Sequence, residues 1–275
     1  MKKKLFTIAI LAVSASLVIM SCSKTSNTTS GGAYAPPYNP NTSPQTTGGS
    51  TTGGGTTGGG TLTFAANGDP SGVYSGFFVT LYYYDPGFTY TTGEAGFYNT
   101  PTAIHPSSGA GVATTGTVTS VHCNGTHFPL STTNLTYSDS ANGLAFPPAI
   151  WNVTGNTTFP SFTYTCTIPL PLYTGTNLPA TVNRANNLVV PINGASGYDQ
   201  IQVSVQDNNL RSTSVFVNSS ATSATITADS LLKLTATPNG SINISLIKFG
   251  ANTFGGNTYL FANEFIYPKN PVNIQ

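Results

Sequence analysis

The sequence predicts an all-β protein, with two β-sandwich domains following a disordered tether. Three observations carry that expectation. From residue 62 onward, short runs of β-branched and aromatic residues recur between Gly, Pro, Asn and Asp turns. In the clearest of these runs apolar and polar residues alternate with period two, as in a strand buried on one side. Beyond the N-terminal apolar run, no segment repeats with the period of a helix.

The chain opens on Met1-Lys2-Lys3-Lys4, and residues 5–20 form an apolar run too short and too poorly flanked to span a membrane. Ser21, a small residue, then stands directly before Cys22. Leu17-Val18-Ile19-Met20-Ser21-Cys22 resembles the lipobox of bacterial lipoproteins, with Ile19 where that family usually carries Leu. The resemblance covers residues 1–22. It implies that residues 1–21 are a signal peptide cleaved before Cys22, and that the Cys22 thiol receives a diacylglyceryl group with acyl chains such as palmitate. The membrane is then a partner through the lipid anchor on Cys22, and the expected location is the outer membrane, on its cell-surface or periplasmic face. The competing reading is an ordinary secretory signal with an incidental cysteine. Residues 22–60 read as the tether: Pro36, Pro37 and Pro40 favour extended backbone, and Thr-Thr-Gly-Gly-Gly at 51–55 recurs at 56–60 with nothing to bury. A flexible coil of that length spans on the order of 35 Å.

The first domain is expected over residues 61–170. Residues 77–84 are its strongest strand, with Phe77, Val79, Leu81 and Tyr83 on one face and Phe78, Thr80, Tyr82 and Tyr84 on the other. Asp85-Pro86-Gly87 turns the chain, and residues 88–92 run back alongside. Residues 117–130 form a second hairpin around Asn124-Gly125, the preferred type I′ loop. That loop sets His122 opposite His127 and Val121 opposite Phe128, with Val121, Cys123 and Phe128 inward and both histidines outward. Further strands are expected near 150–154 and 162–168.

Prolines at 169, 171 and 179 mark a junction, and residues 171–275 form the second domain. Its expected strands are 188–192, 201–205, 214–218, 224–227, 231–236, 242–249 and 259–267, punctuated by Asn193-Gly194, Asp207-Asn208-Asn209 and Pro238-Asn239-Gly240. Ile201, Val203 and Val205 alternate with Gln202, Ser204 and Gln206. Such strand spacing is that of an immunoglobulin-like or fibronectin-like sandwich.

Charge excludes several functions. The chain holds only nine basic and eight acidic residues in 275, and Lys2, Lys3 and Lys4 leave with the signal. Nothing remains to neutralise a row of phosphates, so no nucleic-acid partner is expected, and no basic face for lipid headgroups either. Gly, Ser, Thr, Asn and Tyr fill the surface instead, which suits an envelope or adhesive protein.

Four sets of residues are candidate sites. Cys123 and Cys166, on strands of the same domain, form a disulfide or pack as two buried thiols; a catalytic thiol would need an electropositive, exposed setting. His122 and His127 can share a zinc or copper ion, or simply line a solvated hairpin face; no third ligand adjoins them in sequence. Tyr82, Tyr84, Phe88 and Tyr90, with Phe97, Tyr98 and Trp151 nearby, can stack on a neutral glycan or serve as half-exposed strand residues, and Trp151 shares a core-facing parity with Ala149 and Val153. Asp139-Ser140-Ala141 and Asp229-Ser230-Leu231 resemble the O-glycosylation acceptor triplet of Bacteroidota, which implies Ser140 and Ser230 as modified residues. Ser23-Lys24-Thr25-Ser26 lacks the acidic residues of that group's surface-export signals. Asp207-Asn208-Asn209 is either a turn or a source of calcium ligands.

Enzyme signatures are absent: no G-x-S-x-G elbow, P-loop, H-E-x-x-H or dinucleotide fingerprint occurs, and no cofactor is called for. The expectation is a non-catalytic, membrane-anchored envelope lipoprotein that binds a glycan or an envelope protein. The alternative is a structural or adhesive surface protein assembling through strand edges.

Overall fold

A computed structural model describes residues 62–85, 88–106, 114–138, 144, 148–175 and 178–275. The expected signal peptide and tether, Cys22, Pro86-Gly87 and Ser140 lie outside the described residues. Among those described, the strands run β1 (Tyr74–Asp85), β2 (Phe88–Thr102), β3 (Ser120–Cys123), β4 (Thr126–Phe128), β5 (Tyr137–Ser138), β6 (Ala149–Thr154), β7 (Phe162–Cys166) and β8 (Leu172–Tyr173). They continue with β9 (Thr181–Val182), β10 (Leu188–Pro191), β11 (Ala195–Ser196), β12 (Gln200–Gln206), β13 (Ser212–Asn218), β14 (Ser223–Ile226), β15 (Thr237–Phe254) and β16 (Asn257–Ile274). One helical turn, α1 (Ala228–Leu231), precedes β15. The protein is all-β.

Among the described residues one eight-stranded sheet, ordered β13-β12-β15-β16-β1-β2-β5 with β9 also on β16, takes strands from both halves of the chain. Its spine is the β15–β16 hairpin, two strands of 18 residues closed by Gly255 and Gly256, both at positive φ. The sequence suggested two shorter strands here. They lengthen because Gly250 and Asn252, poor strand residues by propensity, are held in register by partners on β16. β16 also pairs in parallel with β1, from Gly76↔Tyr259 to Tyr83↔Ile266.

Residues two apart share a face, so Phe78 and Tyr82 on β1, Phe261 and Phe265 on β16, and Leu246 on β15 all point the same way. Two cores sit side by side on that face. The first centres on Phe78, fully buried, which meets Phe97, Trp151, Phe162 and Tyr259 edge-on and stacks on Phe261 at 5.0 Å. A four-stranded sheet, β4-β3-β6-β7, covers it. Gly93 on β2 lets that cover come close, because a Cβ there would stand 3.0 Å from Phe128 and 3.1 Å from Trp151. The second core is aliphatic: Ile201, Val203, Val205, Ile242, Ile244 and Leu246 pack with Val190, Ala224 and Ile226 of the β10–β14 pair.

The boundary expected at 170/171 falls between β7 and β8, and both the large sheet and the cores draw on residues from either side of it. β16 supplies Tyr259 and Phe261 to the first core, and Val272 and Ile274 to the second. The opposite face of the sheet is buried as well, around Tyr74, Ile247, Phe249, Leu260 and Ala262. Gln202 and Gln206, which alternation alone would leave in water, are therefore buried too. The strand expected over 231–236 is instead the end of α1 and the turn after it; Leu231 and Leu234 point into the aliphatic core at helical rather than strand spacing.

Candidate functional site

The 120–128 hairpin forms as expected. Asn124 (φ 50°) and Gly125 (φ 81°) make the turn, and His122 lies opposite His127 with ring centroids 5.1 Å apart. Across the outer face the row continues to Asn152 on β6 and Thr163 on β7, where the Thr163 hydroxyl donates to Asn152 Oδ1 at 2.7 Å. Among the described residues no group of three or more His, Cys, Asp and Glu converges. The remaining histidine, His105, stands beside Asp69 instead, at 3.8 Å.

The disulfide expected between Cys123 and Cys166 is not formed. Both are buried as thiols, because β6 lies between their strands: Cys123 pairs with Trp151 and Cys166 with Ala149. Two strand spacings, roughly 10 Å, separate them, well beyond the reach of a disulfide. Burial pushes the Cys166 thiol up to about 11, partly offset by a backbone hydrogen bond at Ile168, so no thiolate is available at neutral pH.

The proposed aromatic platform divides. Tyr83 pairs with Tyr90 and Asp85 with Phe88, so Phe88 and Tyr90 occupy the alternate register positions to Tyr82 and Tyr84 and belong to the other face of the β1–β2 pair. The side chains of Phe88 and Tyr90 lie outside the described part. Tyr82 stacks on Phe265 at 5.7 Å, and Tyr84 stacks on Phe265 and Tyr267 at 6.1 and 6.3 Å. These rings turn their faces to one another. Tyr84, 39% exposed, is the most open of them, and Tyr82 and Tyr267 are half-buried. Phe97 and Trp151 are core, and Tyr98 is buried.

Carboxylates do not pair either. Glu94 on β2 and Glu264 on β16 lie two strands apart, with β1 between them: Glu94 pairs with Val79, and Glu264 with Leu81. Burial pushes each up to about 7, opposed by hydrogen bonds with Thr136 and Ser245 respectively. Asp207 is a turn residue. Its burial raises the carboxyl, but N–H groups of Thr235, Arg211 and Asn209 donate to it and hold it below the usual range. Ser230 is half-buried in α1, and its Oγ accepts from the Thr227 hydroxyl at 3.1 Å.

A concave site lies beside the start of β12, away from the residues singled out above. β12 starts at Gln200, opposite Ile247, so β15 from Lys248 onward pairs on one side only, with β16. Asp199 caps the vacated edge. Its N–H donates to the Ile247 carbonyl at 2.9 Å, its Oδ2 accepts from Phe249 N–H at 2.9 Å, and its Oδ1 holds Lys248 Nζ at 2.6 Å. A cleft of about 350 Å³ opens beyond this pair. Leu62, Phe64, Tyr164 and Ile168 line it, with Phe64 tilted on Phe249 at 6.1 Å, and Thr167 and Asn252 add polar groups. Lys248 and Asp199 cancel one another, so the cleft offers rings, hydroxyl and amide without net charge. That chemistry fits an uncharged, polyhydroxylated or peptide-like ligand rather than an ion. Four separate segments build it. The one local hint is Lys248, the sole charged residue in β15. Neither a family model nor a curated protein sequence matches the chain.

Proposed function

We propose that the protein is a lipid-anchored lipoprotein of the outer membrane, held by Cys22, that acts by binding rather than catalysis, and that the cleft beside Lys248 takes a neutral glycan of the envelope. The observation supporting this reading is the cleft itself: exposed Phe64 and half-buried Tyr164 with amide and hydroxyl groups around an internally neutralised ion pair. Sugars bind by stacking C–H faces on rings while hydroxyls bond to neutral polar groups. The 350 Å³ of the cleft suits one or two sugar rings.

Glycan arrays probed with wild type and with Phe64→Ala and Tyr164→Ala test the reading. Wild type should retain a neutral glycan, and each variant should weaken it at least tenfold. Retention of no glycan at all sinks the proposal and leaves an extended segment of an envelope protein as the occupant. A second reading, assembly through strand edges, is favoured by a separate observation, the uncharged outer strand β13.

A further inference from the structure

The large sheet ends on one side at β5, only two residues long, and on the other at β13, Ser212-Thr213-Ser214-Val215-Phe216-Val217-Asn218. Sheet edges are ordinarily blunted by charge, proline, a bulge or brevity, because their unpaired N–H and C=O groups recruit further strands. The open stretch of β15 is blunted by Lys248 and the Asp199 cap. Among the described residues β13 carries none of these devices: it holds no charge and no proline, and its register with β12 is unbroken from Ser212 to Asn218.

The polarity of this edge can be read from one hydrogen bond. Asp207 N–H donates to the Arg211 carbonyl, and alternation along the antiparallel pair directs Thr213, Val215 and Val217 toward β12. The N–H and C=O groups of Ser212, Ser214 and Phe216 then face outward, while the Asn218 carbonyl accepts from Ala221 N–H in the following turn.

We infer that β13 pairs antiparallel with β13 of a second copy of this chain, about a two-fold axis at Val215. This rests on the assembly reading and names its edge and its occupant. In this register Ser214 meets Phe216 and exchanges both backbone bonds with it, Thr213 meets Val217, and Val215 meets itself in the non-hydrogen-bonded position. Every opposed pair shares a face, so the side of each sheet carrying Val215 and Val217 continues into its neighbour's. No charge meets a like charge, as a self-pairing edge requires.

The test uses the full chain in its own membranes. Val215→Cys places two thiols across the axis, where opposed Cα atoms are about 4.5 Å apart and suit a disulfide. Mild oxidation should give a covalent species of doubled mass. Thr213→Cys, which faces Val217 and not itself, should give several-fold less. Adding Ser214→Pro removes an outward N–H at a position where an edge strand tolerates proline, and it should abolish the cross-link while the protein stays protease-resistant. Equal cross-linking at positions 213 and 215, persistence with Ser214→Pro, or a covalent adduct to a different protein each overturns the inference. If purified protein self-associates with concentration but Val215→Cys does not cross-link, the β13 pairing fails while assembly through some other edge stands. A profile monomeric at every concentration removes both.

Discussion

The two cores share a sheet and one of its faces, yet they are built from different material. The first is a nest of rings around Phe78, with Phe97, Phe128, Trp151, Phe162, Tyr259 and Phe261. The second is almost wholly branched aliphatic, from Ile201 and Val203 to Val272 and Ile274. Rings bury large areas from few positions and meet edge-to-face, so the four short strands β3, β4, β6 and β7 suffice to cover the first core. Aliphatic side chains need many positions, and the second core draws on β10, β12, β14, β15, β16 and α1. β16 changes character along its length to serve both, and Phe265 and Tyr267 mark the crossover.

The largest effect should come from removing the ring at the centre of the first core. Phe78→Ala deletes five ring contacts from a fully buried site and should cost about 3–5 kcal/mol. Leu246→Ala, equally buried in the second core, should cost about 2–5 kcal/mol and lower the same unfolding midpoint in urea. Two separate transitions, each sensitive to one variant, would break the picture of cores tied by one sheet.

The next effect is electrostatic. Glu264, with its carboxyl raised from 4.5 to about 7, binds a proton in the folded state that the unfolded state has already released. Stability should therefore fall as pH rises from about 4.5 to 7, and level off above. Glu264→Gln should remove about half of this decline, with the equally raised Glu94 carrying the rest, and stabilise the protein by about 3 kcal/mol at pH 8, with little effect at pH 4. A stability profile identical to wild type would show that the buried carboxyl carries no such strain.

The smallest effect should be none. Because Cys123 and Cys166 are thiols on either side of β6, dithiothreitol should leave the urea midpoint unchanged. A disulfide closing that loop would be worth about 4 kcal/mol, so the outcomes differ plainly.

These same residues show how far the sequence could be read. The 120–128 hairpin was legible because Asn124-Gly125 and alternation are local, and they set both the opposition of the histidines and the inward aim of Val121, Cys123 and Phe128. Trp151 was legible through its parity with Ala149 and Val153. The cysteine pairing was not, because facing inward says nothing of which strand lies between. The division of Tyr82 and Tyr84 from Phe88 and Tyr90 follows from the Asp85↔Phe88 register, which is again local, and counting the two-residue loop would have revealed it. The cleft was beyond reach. It needs the start of β12, the middle of β15, the end of β7 and the approach to β1 to meet at one point, and no local pattern encodes that meeting.

The parallel pairing of β1 with β16 has a consequence for timing. Gly76 finds its partner Tyr259 only after most of the chain has been made, and β16 lies between β1 and β15 rather than at an edge. Until those last residues arrive, the ring core lacks Tyr259 and Phe261 and the sheet lacks its middle. The strands before β16 are thus synthesised as an unfinished surface, and β16 acts as a keystone whose arrival completes both cores.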